Sequence, residues 1–234
     1  MGTISDVLYC ARDWIGYSRW TDPEEGTVFG RWFAEKTGEP YFGASGVPYC
    51  AMFASYCLDW AGVTCAGMPS AYCPDIVSAG EDAGATVSCE DAEPGDLVLF
   101  DWGGDGLADH IGIVEENHPG EGYMTTIEGN TSSGAGGSQS NGGVVARRQR
   151  GYGSICCVVR PDYKENQEEE DMGLTEHQDK LLATIYEQVT GTYDPTGRGV
   201  ELCDHDHIKY IGKAVADNAA AIQAVDAKLD KLIE

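Results

Sequence analysis

No apolar run in these 234 residues approaches the roughly 20 residues that a helix needs to cross a bilayer, so no membrane span is expected. Basic residues are also scarce. There are 15 Lys and Arg against 39 Asp and Glu, giving a net charge of −24 and a pI near 4.3. The deficit is not local, since residues 165–234 alone hold 16 acidic against 6 basic side chains. A chain of that sign repels phosphate, which argues against nucleic acid as a partner. The opening Met1-Gly2-Thr3-Ile4-Ser5-Asp6 has no basic region leading into an apolar stretch, so no secretory signal is expected. Without one, the 9 cysteines read as thiols kept reduced in a cytosol rather than as a disulfide framework. Ligand patterns for zinc are missing as well. Cys203-Asp204-His205-Asp206-His207 is dense in donors but has no second cysteine pair at finger spacing.

What is present is concentrated in the middle of the chain. In Val47-Pro48-Tyr49-Cys50-Ala51-Met52-Phe53-Ala54-Ser55-Tyr56-Cys57-Leu58-Asp59-Trp60-Ala61-Gly62, apolar residues at Phe53, Tyr56, Cys57 and Trp60 recur at helical spacing, and Gly62 closes the last turn. Cys50 stands where this helix starts. The first N–H groups of a helix lack internal partners and carry partial positive charge, so a thiolate there is stabilised. A base is available downstream. Asp96-Leu97-Val98-Leu99-Phe100 and His110-Ile111-Gly112-Ile113-Val114 read as antiparallel strands joined by residues 101–109, with His110 at a strand entrance. A third strand, Tyr123 to Ile127, leads into Glu128-Gly129-Asn130. Glu128 and Asn130 are two apart, so in an extended segment both face one way, and either can accept a hydrogen bond from His110. Nucleophile, base and orienting group together make the general triad arrangement.

Plainer readings apply to most other reactive residues. Free cysteine is usually buried, and the eight cysteines other than Cys50 read as packing residues, Cys57 among them. His118, His177, His205 and His207 read as solvated. Asp101, Asp105 and Asp109 fall at positions 1, 5 and 9 of a calcium-loop pattern. Gly103 and Gly112 occupy positions 3 and 12, however, so the bidentate glutamate is missing and a glycine turn is the preferred reading over calcium. No other cofactor is indicated. Arg147-Arg148-Gln149-Arg150 reads as a solvated strand end.

The segments PYCAMFASYCLDWAG, PGDLVLFDW, ADHIGIVEEN and TIEGNTSSG, in this order, resemble the CHAP domain, the cysteine, histidine-dependent amidohydrolase/peptidase family found in phage endolysins and bacterial wall hydrolases. The resemblance runs from Ser5 to Tyr163 and implies an α+β, papain-like cysteine-hydrolase domain, with N-terminal helices packed on an antiparallel sheet. It implies Cys50 as nucleophile, His110 as general base and Glu128 as the residue that orients the histidine. Asn130 matches the polar position that follows that glutamate. The implied substrate is an amide bond in peptidoglycan, cut as a muramoyl–alanine amidase or an endopeptidase. The implied setting is a phage or prophage endolysin that waits in the host cytoplasm and reaches the wall at lysis. Two other functions compete: a cysteine amidohydrolase on a non-wall amide, and a non-catalytic wall-binding or tail module.

Organisation around this core is legible. Asp6 to Trp20 reads as a first helix, with Val7, Cys10, Ala11, Trp14 and Ile15 on one side. Short helical pieces are expected near residues 29–33 and within Pro69 to Gly84, and the Ser/Gly/Asn-rich residues 131–143 as a flexible loop beside the site. A catalytic domain over 1–163, an acidic linker over 164–173 and a small helical region over 174–234 complete the expected plan. Ile208, Ile211, Val215, Asn218, Ile222, Val225, Leu229 and Leu232 form a heptad stripe that favours a homo-oligomer through residues 208–232, wall binding being the alternative.

Overall fold

A computed structural model describes residues 2–134 and 137–163. The expected acidic linker, helical region, heptad stripe and Cys203–His207 cluster lie outside the described residues, as do His177 and the 163/164 domain division.

Helices come first in the chain. Thr3 opens α1 (Ile4–Asp13) with a capping box: its hydroxyl accepts from the Asp6 N–H, and the Asp6 carboxylate accepts from the Thr3 N–H. This cap starts the helix earlier than the hydrophobic pattern suggests. The helix also stops at residue 13 rather than 20. Gly16 turns with φ 97° and hands its N–H to Val145 O, so the chain leaves the helix to run beside a strand edge. Val7, Cys10 and Ala11 are buried as expected, while Ile15 is exposed. Thr27 caps α2 (Val28–Thr37), which is longer than the short piece expected there. Next come α3 (Cys50–Ala61), closed by Gly62 in the left-handed region, and α4 (Cys73–Asp82), with Pro74 in its first turn.

Six strands follow: β1 (Thr86–Val87), β2 (Leu97–Phe100), β3 (His110–His118), β4 (Tyr123–Thr131), β5 (Val144–Gly151) and β6 (Ile155–Val159). They form one sheet in the order β1-β6-β2-β3-β4-β5, with every pairing antiparallel. The expected α+β class, helices against an antiparallel sheet, is what the chain adopts.

Strand alternation divides the core in two. Leu97, Leu99, Ile111, Ile113 and Ile127 join the large cluster with Val7, Phe29, Met52, Phe53 and Cys57 from the helices. Val98, Phe100, Val114, Met124 and Val158 form a second cluster on the other parity. His110 and Glu128 share this second parity, so each is placed by the same period of two that buries its neighbours. Two glycines give the polar side chains room. A Cβ at Gly112 would meet Glu128 Cγ at 2.8 Å, and one at Gly129 would meet Phe53 Cβ at 2.5 Å.

Candidate active site

Cys50 is the first residue of α3, and no side chain caps that helix end. The free amides of the first turn therefore face the thiol's surroundings, and the Ala51 N–H is among the groups that favour its ionised form. His110 opens β3, directly across from Phe100 of β2. Its Nε2 donates to Glu128 Oε2 at 3.0 Å. With that nitrogen taken, Nδ1 has no other partner and is left for the Cys50 thiol. Three segments far apart in sequence thus bring sulfur, imidazole and carboxylate together. Cys50 is 6% exposed, while His110 and Glu128 are both 0% exposed.

The carboxylate is fully engaged. Glu128 also accepts from Thr126 Oγ1 at 2.6 Å, from Arg150 Nε at 2.7 Å and from Arg150 Nη2 at 2.5 Å. Burial alone would favour the neutral acid, but Arg150 and His110 outweigh it and hold Glu128 down at about 2. Burial likewise opposes charge on His110, yet the neighbouring Cys50 sulfur and the hydrogen bond to Glu128 push it up to about 9. The contact with Cys73, followed by the nearby His110 ring, lowers the Cys50 thiol well below its ordinary value despite its burial. Both shifts run in the direction that favours a thiolate beside an imidazolium.

Arg150 is the residue that sequence reasoning missed. It was expected in a solvated strand end, but its place is inside, 8% exposed. Strand alternation separates it from Arg147, which turns outward to pair with Glu115. Its guanidinium also lies over Trp102 and Phe100, 5.1 and 5.5 Å from the ring centroids. Trp102 in turn stacks on the His110 ring at 5.2 Å. Gln139, from the loop after β4, accepts from Arg148 and Arg150. That loop is thereby tied to the site through the arginine.

Asn130 does not join Glu128 at the histidine. A β-bulge between Glu128 and Thr131 breaks the strand alternation, and Asn130 adopts φ 61°, the left-handed region. Its Oδ1 accepts from Arg19, and its Nδ2 donates to Ser140 O at 2.9 Å. It ties the N-terminal segment and the 132–143 loop to β4, which corrects the expectation of a second carbonyl for the imidazole. Cys73 was likewise read as a packing residue. It is buried, yet its sulfur lies 4.0 Å from that of Cys50. Cys156 differs from the expected packing role in being exposed.

The acidic loop 101–109 uses its carboxylates on itself. Asp109 Oδ2 accepts from Trp102 N and Gly103 N, and Asp101 accepts from Gly104 N and Gly106 N. These contacts suit a tight glycine turn rather than a cation cage. Among the described residues no cluster of three or more His, Cys, Asp or Glu side chains is disposed to hold a metal ion.

A cysteine at a helix start beside a histidine on an antiparallel sheet gives the molecule an α+β architecture. Among protein families, the CHAP domain is the one whose model this sequence matches, over residues 42–130. Solved structures with some likeness include an NlpC/P60 family protein from Bacillus cereus ATCC 10987, at 15% identity and a TM-score of 0.39, over 68% of this chain and 40% of that one. The wild-type endolysin LysIME-EF1 is another, at 17% identity and a TM-score of 0.37, over 70% of this chain and 67% of that one. Ly7917 is similar at 17% identity and a TM-score of 0.37, over 68% and 62% of the two chains. The chain therefore spans well under half of the Bacillus cereus protein. No curated protein matches it.

Proposed function

We propose that this chain is a peptidoglycan hydrolase that cuts an amide bond with Cys50 as its nucleophile. The observation that carries this reading is the hydrogen-bonded series Arg150–Glu128–His110, whose remaining ring nitrogen is left for the nearby Cys50 thiol at a helix start. The match to the CHAP domain supports peptidoglycan as the substrate class.

In the proposed reaction the Cys50 thiolate attacks the carbonyl carbon of the scissile amide. The oxygen that becomes negative is stabilised by the unpaired amides of the first turn of α3. The His110 imidazolium gives its proton to the leaving amine, and the neutral ring then draws a proton from the water that hydrolyses the thioester. Glu128 keeps the ring oriented and favours its charged form, while Arg150 keeps Glu128 ionised. Trp102, partly exposed and stacked on the His110 ring, offers a stacking surface for a sugar or peptide strand.

Lysis of purified cell walls by the wild-type chain and by Cys50→Ala tests the reading. Turnover should vanish in the variant while its circular dichroism is unchanged. Equal lysis by both proteins would end the assignment. Mass spectrometry of the digested wall then identifies the bond, because cleavage at the muramoyl amide, in the stem peptide or in the cross-bridge exposes a different new amine.

A further inference from the structure

Cys73 makes and breaks no bond in the hydrolytic reaction just described, yet it sits against the reacting sulfur. Both cysteines begin helices, Cys50 in α3 and Cys73 in α4, and both are buried. Their sulfurs are 4.0 Å apart. A disulfide needs about 2.05 Å, so the two sulfurs, already in contact, have about 2 Å left to close. We propose that Cys50 and Cys73 form a reversible intramolecular disulfide in the presence of a hydroperoxide, with Cys73 as the resolving thiol that switches the site off and shields its sulfur. This inference rests on the reading of Cys50 as the nucleophile.

The chemistry balances in two steps. The Cys50 thiolate attacks the terminal oxygen of the hydroperoxide, the O–O bond breaks, and the alkoxide leaves with the proton held on His110. Cys50 is then a sulfenic acid, oxidised by two electrons, and the hydroperoxide has been reduced to an alcohol. In the second step the neutral imidazole takes the Cys73 proton and the Cys73 sulfur attacks the Cys50 sulfur. The S–O bond breaks, and hydroxide leaves as water with that proton. Two thiols and one hydroperoxide give one disulfide, one alcohol and one water. A dithiol reductant reverses the bond by exchange.

The remaining thiols show why the reaction is confined to this pair. Cys57 and Cys10 are also buried neighbours, but no imidazole is among the groups acting on Cys57, and burial holds its thiol well above its ordinary value. Burial raises Cys65 and Cys157 too, to about 12 and about 11. Among the described residues, only at Cys50 do a base and a second thiol meet one sulfur. The hydrogen bond that lowers Cys50 raises Cys73, so the thiol nearest the attacking sulfur stays protonated until the sulfenic acid forms.

The test treats the reduced full-length chain with hydrogen peroxide and maps its peptides without reduction. The expected product is a linked peptide pair joining Cys50 to Cys73, with wall lysis lost in proportion to the linked fraction and restored by dithiothreitol. In Cys73→Ser, measured against its own untreated rate, no link forms, Cys50 advances to sulfinic acid, and dithiothreitol restores nothing. The wild-type map stands without the variant. Cys50 recovered as sulfinic acid, or unmodified, with no link to Cys73 overturns the inference and leaves the hydrolase reading intact. A fully linked protein that still lyses walls overturns the nucleophile assignment itself.

Discussion

The guanidinium of Arg150 lies flat against the carboxylate of Glu128, Nε on Oε1 at 2.7 Å and Nη2 on Oε2 at 2.5 Å. The pair is buried from both sides, and His110 hangs from the same carboxylate. A bidentate contact of this kind fixes the plane of the carboxylate and therefore the direction from which the imidazole is held. Removing one partner of a buried pair leaves an uncompensated charge. Arg150→Ala should cost about 3–5 kcal/mol of stability in urea unfolding. Arg150→Lys should recover only part of this, because an ammonium cannot make the two parallel bonds. A role in positioning predicts more than instability. In whichever variant stays folded, Glu128 loses the interaction that holds it ionised, and the acid limb of the pH–rate profile moves to higher pH. An unmoved limb would reduce Arg150 to a purely structural residue.

The direction of each pKa shift fixes the expected pH behaviour. His110 rises from 6.5 to about 9 in the fold. Its stabilising contribution is therefore fully present below pH 6.5 and lost as pH climbs through about 9. Glu128 falls from 4.5 to about 2, so its contribution is present above pH 4.5 and lost as pH drops toward about 2. Activity follows the same groups, since the leaving amine needs the imidazolium. Wall lysis should hold through neutral pH and decline as pH passes about 9. Solvent titration of the His110 ring by NMR checks the assignment, and a midpoint near 6.5 would contradict the ion pair.

Cys50, His110 and Glu128, the three side chains proposed to react together, each carry a local signal in the sequence: a helix start, a strand entrance and the end of an apolar strand. Arg150 was hidden by its neighbours. In Arg147-Arg148-Gln149-Arg150 the composition suggests solvent, and only the pairing of β5 with β4 decides which arginine turns inward. Asn130 was misplaced for a related reason. Period-two alternation is a fair rule for an extended strand, but a bulge cancels it, and the bulge is set by the tertiary contacts of Arg19 and the following loop. Cys73 carried no sequence signal, because its meaning lies in a distance between two helix starts.

Gly129 separates α3 from β4 by the width of a hydrogen atom. An added Cβ would stand 2.5 Å from Phe53 Cβ and 2.7 Å from its Cγ, and Phe53 is itself buried one turn after Cys50. The ring has no empty space to enter, so the helix must move. Gly129→Ala should destabilise the fold by about 1–3 kcal/mol, the usual cost of overpacking. It should also lower kcat by widening the gap between thiol and imidazole. A Gly129→Ala chain with wild-type stability and kcat would show that α3 and β4 admit the methyl without moving apart.

Glu128 and Asn130, equivalent on strand spacing alone, separate by experiment. Glu128 contacts the imidazole, so Glu128→Gln removes the charge that favours the imidazolium and leaves Arg150 unpaired. Its kcat should fall on the order of 10²–10⁴-fold, the range associated with a positioned proton-transfer group. The alkaline midpoint should drop below about 9 as the ring becomes less basic. Asn130→Ala acts elsewhere. It loses the contacts to Arg19 and Ser140 and forces a Cβ-bearing residue with no compensating side-chain bond to hold φ 61°. A stability loss of about 1–3 kcal/mol is expected, with the pH midpoints unchanged. If Asn130→Ala moved the alkaline midpoint as far as Glu128→Gln, the amide and not the carboxylate would be governing the charge on the histidine.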